Sequence, residues 1–321
     1  MNPETFGRWL ERQGHRVLRT ESSYWHSAGI GALQAFPYHW TIQPRERELQ
    51  QLLRKAHAVC LRFSAPVDSP LGHLSYHVVR EGPAYGLKDL GKWARKNVRR
   101  GLRNCSVEPV GFDLMAEDGW ALQCDTLDRQ NRRLDVAAEG WRTRCRAARD
   151  LPGFEAWAAT VRGRLAASVI TFSMGDCVYL LYQQCHRDFL AAHVNNALTF
   201  VVTQTMLARP GVRSIFYSLH SLDARPSMDE FKFRMGYVAR TVRQRVVFRS
   251  ACAPLVNPAT HALVRVAKAV QPGNPVLAKA EGMIRFYLEG KRPLTKQAAE
   301  TSCFPQPAEA PEQDEISRPA D

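Results

Sequence analysis

The chain has 321 residues and a mass of 36.3 kDa, with 45% hydrophobic residues, 23% charged residues and a formal net charge of +13. These proportions exclude bulk disorder and collagen-like repeats, and the length is typical of about two globular domains. No stretch approaches the roughly 18 apolar residues of a membrane span, and residues 1–13 lack the apolar core of a signal peptide, so we expect a soluble, cytoplasmic protein.

Residue patterns predict the elements of the first third of the chain. Residues 22–43 are rich in Tyr, Trp, His and Gly and are predicted to form strands joined by turns. A helix over 44–57 follows, with Pro44 at its first position and leucines at helical spacing. The segments 58–65 and 74–82 are predicted strands.

Residues 87–104 are predicted to form a helix with one basic face. On a 3.6-residue period, six cations make a continuous stripe: Lys92, Arg95, Lys96, Arg99, Arg100 and Arg103. Residues from Glu300 onward carry a net charge of −5, so residues 1–299 carry +18. Such a surplus favours an anionic partner, namely nucleic acid, a phosphorylated cofactor or an anionic membrane. A solvated helix in a basic protein is the alternative.

The segment 105–249 mixes strands and helices. The predicted elements are a strand at 106–112, helices at 116–133 and 138–149, three strands within 154–189, a helix at 193–208, a strand at 212–222, a helix at 226–235 and a closing strand at 237–249. Ser227 and Gly236 are the expected start and stop signals of the helix at 226–235. We expect Asn195 and Asn196 to cap the helix at 193–208.

The remaining segments complete the predicted organisation. Two helices are predicted at 257–270 and 276–289, and a tail rich in Pro, Glu and Ala from about residue 296 is predicted to be disordered. We divide the chain as follows: an N-terminal part at 1–104, a main domain at 105–249, a helical extension at 250–295 and an acidic tail at 296–321.

The eight cysteines and ten histidines form no metal motif. There is no CxxC pair, no zinc-finger spacing and no HExxH. We expect reduced cysteines and no metal cofactor.

The element order of 105–249 resembles that of the GNAT acyltransferase superfamily. The segment SMDEFKFRMGY (227–237) is similar to the last helix of that superfamily, which commonly ends in aromatic-x-x-x-Gly-Phe/Tyr. Together with the basic helix ARKNVRRGLRN (94–104), it resembles the Fem-type (FemAB-like) acyl and aminoacyl transferases. The resemblance covers most of 20–249. It implies an α+β (α/β) fold, in which helices flank a mixed, mostly antiparallel sheet and a second, partial GNAT-like half lies at the N-terminus.

The resemblance also implies roles for individual residues. In the Fem-type pattern, Lys232 contacts an anionic intermediate or a substrate phosphate. Tyr182 and Gln184 alternate on the central strand and line the acyl slot. His220 is a candidate general base that Asp223 orients. A solvated lysine, ordinary strand residues and a structural histidine are the plain alternatives.

The donor loop departs from the superfamily pattern. The stretch that corresponds to the pyrophosphate loop of CoA is Arg187–Ala192, which keeps Arg187 and ends in Ala191 and Ala192. It has Leu190 where glycine is expected and carries Asp188. A side chain at this point blocks close approach of backbone N–H groups to phosphate. The departure disfavours acetyl-CoA or another acyl-CoA and favours an aminoacyl-tRNA enzyme or a degenerate protein.

Three functions follow from these observations. The leading one is an N-acyltransferase that moves an acyl group from acyl-CoA to an amine of a small molecule or a peptide or amino-sugar precursor. The second uses aminoacyl-tRNA gripped by Arg95, Arg99 and Arg103. In either case Arg129 and Gln130 are expected on the acceptor side. The third is a non-catalytic basic module that touches a membrane through the helices at 257–290, although packing of these helices on the second half is preferred.

Overall fold

The structure is a computed structural model, and it describes residues 1–29, 31–130, 137–220 and 227–300. Within these ranges eleven strands form one mixed sheet. The strands are β1 (Val17–Arg19), β2 (Tyr24–Ser27), β3 (Ala32–Phe36), β4 (Cys60–Ala65), β5 (His73–Glu81), β6 (Ser106–Val110), β7 (Phe154–Val161), β8 (Arg164–Met174), β9 (Cys177–Cys185), β10 (Ser214–Leu219) and β11 (Val238–Phe248).

Helices flank this sheet. They are α1 (Pro3–Arg12), α2 (Glu46–Ala56), α3 (Lys92–Asn104), α4 (Phe112–Glu117), α5 (Gly119–Arg129), α6 (Ala138–Ala148), α7 (Val194–Leu207), α8 (Ser227–Arg234), α9 (Pro258–Val270), α10 (Pro275–Glu289) and α11 (Leu294–Glu300). None of the described helices is both long and apolar enough to cross a bilayer.

The strand order shows how two halves share one sheet. Across the sheet the order is β1-β2-β3-β4-β11-β5-β10-β9-β8-β7-β6. Only β3 with β4 and β9 with β10 pair in parallel among the described strands, and a helix, α2 or α7, crosses over within each pair. The last strand, β11, lies between β4 and β5 of the first half. The predicted mixed, mostly antiparallel sheet with a partial copy at the N-terminus is confirmed.

Two hydrophobic clusters pack on opposite faces of the second half. Val178 and Leu180 of β9 join the cluster formed with α3 and α7. Tyr179, between them, joins the cluster formed with α1, α4 and α6. Since successive side chains of a strand point to opposite faces, the clusters lie on the two sides of the sheet. Two smaller clusters pack α2 and α10 against the first half.

The N-terminal helix is an element that sequence reasoning missed. Asn2 accepts a hydrogen bond from the Thr5 amide at 3.1 Å, and Pro3 occupies the first helical position. Phe6 and Trp9 are buried in the cluster beneath α6. A cap residue followed by proline and two aromatics at three-residue spacing was the available signal.

Two predicted helices change. The helix predicted at 87–104 begins at Lys92, because Gly91 separates it from a 3-10 turn at Leu87–Asp89. The helix predicted at 116–133 is divided at Asp118 into α4 and α5, and residues 131–136 lie outside the described ranges.

The disorder predicted from residue 296 is wrong for residues 296–300, which belong to α11. The Gln297 side chain is buried and accepts a hydrogen bond from the Leu74 amide at 2.8 Å, so it anchors this helix to β5. Residues 301–321 lie outside the described part of the chain.

Candidate active site

The sheet opens between β9 and β10. These strands pair in parallel only from Cys177 to Tyr179 against Ser214 to Phe216. Beyond this point β9 continues along β8, while β10 continues along β5. The divergence leaves a split at the carboxyl ends of the two strands, which is where open α/β sheets bind ligands.

A glutamine bridges this split. The Gln183 amide nitrogen donates to Asn195 Oδ1 and Thr199 Oγ1 of α7, both at 2.7 Å. The Tyr217 hydroxyl of β10 donates to Gln183 Oε1 at 2.7 Å. Asn195 therefore serves this bridge rather than the predicted cap, and the α7 N-cap residue is His193 with no side-chain cap bond. Asn196 donates to Met235 Sδ at 3.4 Å and is not a cap either.

Lys232 lies beside this bridge. Its ammonium donates to Ser218 Oγ at 2.7 Å and to Asp229 Oδ1 at 2.6 Å, and it lies 4.9 Å from the centre of the Tyr217 ring. Its side chain is 15% exposed and that of Asp229 is 10% exposed. A lysine this enclosed and this closely paired is not a solvated helix residue. The structure thus favours the functional interpretation of Lys232.

Tyr76 of β5 connects Lys232 to His220. Its hydroxyl donates to Asp229 Oδ2 at 2.8 Å, and its ring stacks on His220 with a centroid distance of 4.5 Å. Burial raises the pKa of Tyr76, so the hydroxyl keeps its proton at neutral pH and remains a donor. The cluster of Tyr76, His220, Asp229 and Lys232 is called the split cluster below.

His220 lies in the split cluster but is a weak base. Burial lowers its pKa to about 4, because the charged imidazolium is poorly solvated there. Its Nδ1 lies 3.1 Å from Ser75 Oγ. A group with this pKa accepts a proton poorly at neutral pH, which disfavours the predicted role of general base. Asp223, its predicted partner, lies outside the described residues.

Tyr182 and Gln184, the residues predicted to line the acyl slot, contact α6 and α5. A register shift between Ser168 and Ile170 of β8 places a bulge in β9, and Tyr182 has a φ of 50°. The Tyr182 ring lies 4.2 Å from the Arg144 guanidinium of α6, and Gln184 bonds to Gln123 of α5. Both side chains thus contact helices that pack away from α7. The intervening residue, Gln183, occupies the split instead.

The Arg187 side chain forms ion pairs within the protein. The segment Arg187–Ala192 is a 3-10 helix, in which the Arg187 guanidinium pairs with both Asp125 and Asp128. The Arg187 amide also donates to Asp125 Oδ2, at 2.9 Å. With two carboxylates at its arginine and Asp188 within it, this loop disfavours a pyrophosphate.

Helix α3 covers the same loop. A Cβ atom at Gly101 would lie 2.4 Å from the His193 carbonyl oxygen, and Asn104 donates to the Ala192 carbonyl at 3.2 Å. Ala191 and Leu190 are exposed. Only glycine allows α3 this close to the start of α7, where the loop ends.

Arg129 and Gln130 end α5. The Arg129 guanidinium donates to Asp125 Oδ2 at 2.9 Å and to the Cys185 carbonyl at 2.6 Å. The Gln130 amide bonds to the Thr126 carbonyl, which continues the last helical turn. The contacts of Arg129 hold α5 to the end of β9, a positioning function that the sequence did not reveal.

Among the described residues, the six cations of α3 line a basic groove of about 530 Å³. Arg95 donates to the carbonyls of Leu87 and Leu90, at 3.0 and 2.9 Å. Arg99 and Arg103 are exposed. No carboxylate pairs with any of the six in the described ranges. The groove therefore presents an uncompensated positive surface.

Helix α3 contacts two of the helices that border the split. At one end of α3, the Trp93 ring lies 4.9 Å from the Arg234 guanidinium of α8, the helix that carries Lys232. At the other end, Gly101 packs against the start of α7.

Tyr76, Gln183, Tyr217 and Asp229 were missed as site residues. Tyr76 and Asp229 are 153 residues apart in the chain, so no local pattern links them. Asp229 lies three residues before Lys232, which was the one available signal.

Solved structures share this fold. FemX superposes with a TM-score of 0.55 at 9% identity, over 78% of this chain and 92% of that one. The L-PGS of Bacillus licheniformis gives 0.51 at 11% identity, over 78% and 92%. A C-terminal DUF2156 domain from Agrobacterium fabrum, of a protein assigned as a lysylphosphatidylglycerol synthetase, gives 0.50 at 12% identity, over 84% and 96%. No family model and no curated protein matches the chain.

At such identities the likeness shows the fold alone. With the element order described above, it confirms a GNAT-like fold with Fem-like structural relatives.

Proposed function

We propose that the protein is an aminoacyltransferase whose reaction centre is the split cluster. The observation that carries this proposal is the Lys232 ammonium, which Asp229 and Ser218 hold at the split between β9 and β10. A fixed, partly buried cation is suited to stabilise negative charge that develops during the reaction. Burial strengthens the attraction between the ammonium and this negative charge, because the effective dielectric constant is lower than in water. The ammonium is also already in place, so no reorganisation of water is needed during the reaction.

The residues have separate tasks in this proposal. An acceptor amine attacks the carbonyl carbon of an aminoacyl ester, a C–N bond forms, and the C–O bond to the ribose breaks. The Lys232 ammonium stabilises the oxyanion of the intermediate, and the proton lost by the amine ends on the departing ribose oxygen. Asp229 is a positioning residue that orients Lys232, and Tyr76 in turn fixes Asp229.

The β9 bulge provides a second source of stabilisation. A bulge leaves backbone groups outside the ladder, and the bulge at Tyr182 adjoins Gln183 in the split. A backbone N–H that is released in this way can donate to a carbonyl oxygen, as oxyanion-binding amides do. This arrangement needs no nucleophilic side chain, which agrees with the lack of a Ser-His-Asp motif in the sequence.

We propose aminoacyl-tRNA rather than acyl-CoA as the donor. The loop that would bind a pyrophosphate has its arginine paired with Asp125 and Asp128 and is packed against α3. The basic groove instead offers six cations to a polyanion. Binding through phosphates displaces counterions, so affinity should fall steeply with salt. The acceptor is an amine of a small molecule or of a peptide or amino-sugar precursor.

The donor is tested by binding at two salt concentrations. The protein, stripped of nucleic acid, is titrated with acetyl-CoA, with CoA and with aminoacyl-tRNA. We expect tRNA binding that Arg99→Glu/Arg103→Glu abolishes and that the matched α2 variant Arg47→Glu/Arg54→Glu retains. Micromolar binding of acetyl-CoA, unchanged by Arg99→Glu/Arg103→Glu, would overturn the choice of donor and restore the acyl-CoA reaction.

A further inference from the structure

Helix α9 exposes its apolar side. Leu263 is 70% exposed, Val266 62% and Val270 75%, and Leu255 in the turn before the helix is 69% exposed. Leu263, Val266 and Val270 recur at three- and four-residue spacing, so they form one stripe along the helix. A surface helix ordinarily places such a stripe toward the core. None of the residues of α9 is buried.

Ion pairs fix this orientation. On the inner side of α9, His261 Nε2 lies 3.0 Å from Glu281 Oε1 of α10, and Lys268 Nζ lies 3.0 Å from Glu281 Oε2. The Glu281 side chain is buried, and Arg285 also pairs with it, at 3.3 Å. The polar side of α9 is thus held to the protein, and the apolar side is held outward.

The chain segment that contains the stripe is basic. Between positions 249 and 292 the chain has seven Lys and Arg residues but only two acids, Glu281 and Glu289. Both acids pair with residues of this same region. Arg265, Lys279, Lys291 and Arg292 are exposed. An apolar stripe with a basic surround is the pattern of helices that lie in the interface of an anionic bilayer.

We propose that α9 is a membrane-surface helix that binds the protein to bilayers rich in anionic phospholipid. Leu263, Val266 and Val270 enter the acyl-chain boundary, and the surrounding cations contact lipid phosphates. A second copy of the chain fits this face less well, because a symmetric contact would bring two basic surrounds together. The inference is independent of the aminoacyl transfer proposed above, since binding to vesicles requires no reaction.

Vesicle pelleting tests the proposal with the full-length protein. The protein is mixed with sucrose-loaded vesicles of phosphatidylcholine alone and of phosphatidylcholine with phosphatidylglycerol. We expect pelleting with the anionic vesicles and little with the neutral ones. Leu263→Asp/Val266→Asp should lower the partition coefficient at least about tenfold, because both the apolar contact and the charge balance are lost.

A matched variant controls for added charge. Val67→Asp/Leu114→Asp places two aspartates at residues that are 43% and 40% exposed and that lie outside α9, and it should pellet like the unmodified protein. Circular dichroism and urea unfolding establish that each variant is folded, and Val270→Asp alone provides a milder substitution.

Three outcomes would overturn the proposal. They are absence of pelleting with anionic vesicles, equal pelleting of Leu263→Asp/Val266→Asp and the unmodified protein, and a dimer in sedimentation velocity that this variant dissociates. The last would show that a second copy covers the stripe.

Discussion

Two parallel strand pairs occupy equivalent places in the two halves. They differ in the residues that lie where the two strands of each pair separate. The first is β3 with β4, paired from Ala32 to Gln34 against Cys60 to Arg62 and connected through α2. The second is β9 with β10, connected through α7. Each pairs over three residues and then separates. The same strand-helix-strand unit therefore creates an opening twice.

Aromatic residues follow β3 and pack against the second half. After β3 the chain continues through Tyr38, whose ring stacks on Tyr179 of β9 with a centroid distance of 5.8 Å. His39 Nδ1 lies 2.7 Å from the Tyr179 hydroxyl. The first turn of α2 also carries Glu46 and Glu48, which disfavour an anion there. The first opening thus joins the halves, whereas the second has the paired Lys232 and an α7 without acids in its first turn.

A buried polar network connects the first half to the split cluster. Arg62 of β4 donates to Gln244 Oε1 and to the His220 carbonyl, both at 2.8 Å. Gln244 in turn donates to Ser64 Oγ, at 2.6 Å, and Ser64 Oγ lies 2.7 Å from His77 Nε2. Buried polar groups must be hydrogen-bonded, so this network constrains both halves. The first half thus supplies Tyr76 to the split cluster and helps to position the other residues of the cluster.

The largest expected effect comes from removing the charge in the second opening. Lys232→Ala should lower the transfer rate by about 100- to 1000-fold, the loss typical of removing one oxyanion-stabilising donor. The rate of transfer from labelled aminoacyl-tRNA to an amine acceptor is measured under conditions where circular dichroism shows a folded variant. Lys55→Ala, at the end of α2, is the control in the first half. An unchanged rate for Lys232→Ala would remove Lys232 from the reaction.

The opposite result is expected for the first opening. Phe36 is fully buried against Phe6 and Tyr24, with centroid distances of 5.6 and 5.5 Å. Phe36→Ala should lower the free energy of unfolding by about 3–5 kcal/mol, as for other buried aromatics. The rate per folded molecule should stay unchanged. Urea unfolding measures the first quantity, and a specific loss of rate in the folded variant would give the first opening a catalytic task.

Acid should destabilise the protein through buried histidines. Burial lowers the pKa of His26 to about 4 and that of His77 to about 3. Between these values and the ordinary 6.5 of an exposed histidine, the unfolded chain binds more protons than the folded one. The stability that these neutral histidines contribute is therefore fully present above pH 6.5, and it is lost as the pH falls toward 4. For His26 the loss reaches up to about 3 kcal/mol.

Urea unfolding at a series of pH values checks this prediction. His77→Asn should flatten the dependence on pH, because it removes one of the groups that titrate on unfolding. A variant with the same slope as the unmodified protein would show that His77 does not contribute. Burial also lowers the pKa of His220, so His220 in the second opening should add to the loss of stability in acid.

The comparison also explains which features the sequence could predict. Periodicity found α3 and its basic stripe, and Gly236 stops α8 with a φ of 80° as expected. Side-chain orientation at the split was not predictable, because the bulge at Tyr182 depends on pairing with β8. Neither was the contact of Tyr76 with Asp229, since it joins strand β5 to helix α8 across the sheet. Local rules describe elements, while these contacts depend on how distant elements pack.

The smallest expected effect concerns single cations of the basic groove. If α3 binds the phosphates of a tRNA, Arg99→Ala should weaken binding uniformly and reduce the slope of log K against log salt by roughly one. Arg54→Ala, on helix α2 of the first half, is the control and should leave the slope unchanged. Filter binding at a series of salt concentrations gives both slopes. Equal slopes for Arg99→Ala and the unmodified protein would mean that the groove is a solvated surface, and the proposed function of the second half would then rest on Lys232 without the groove.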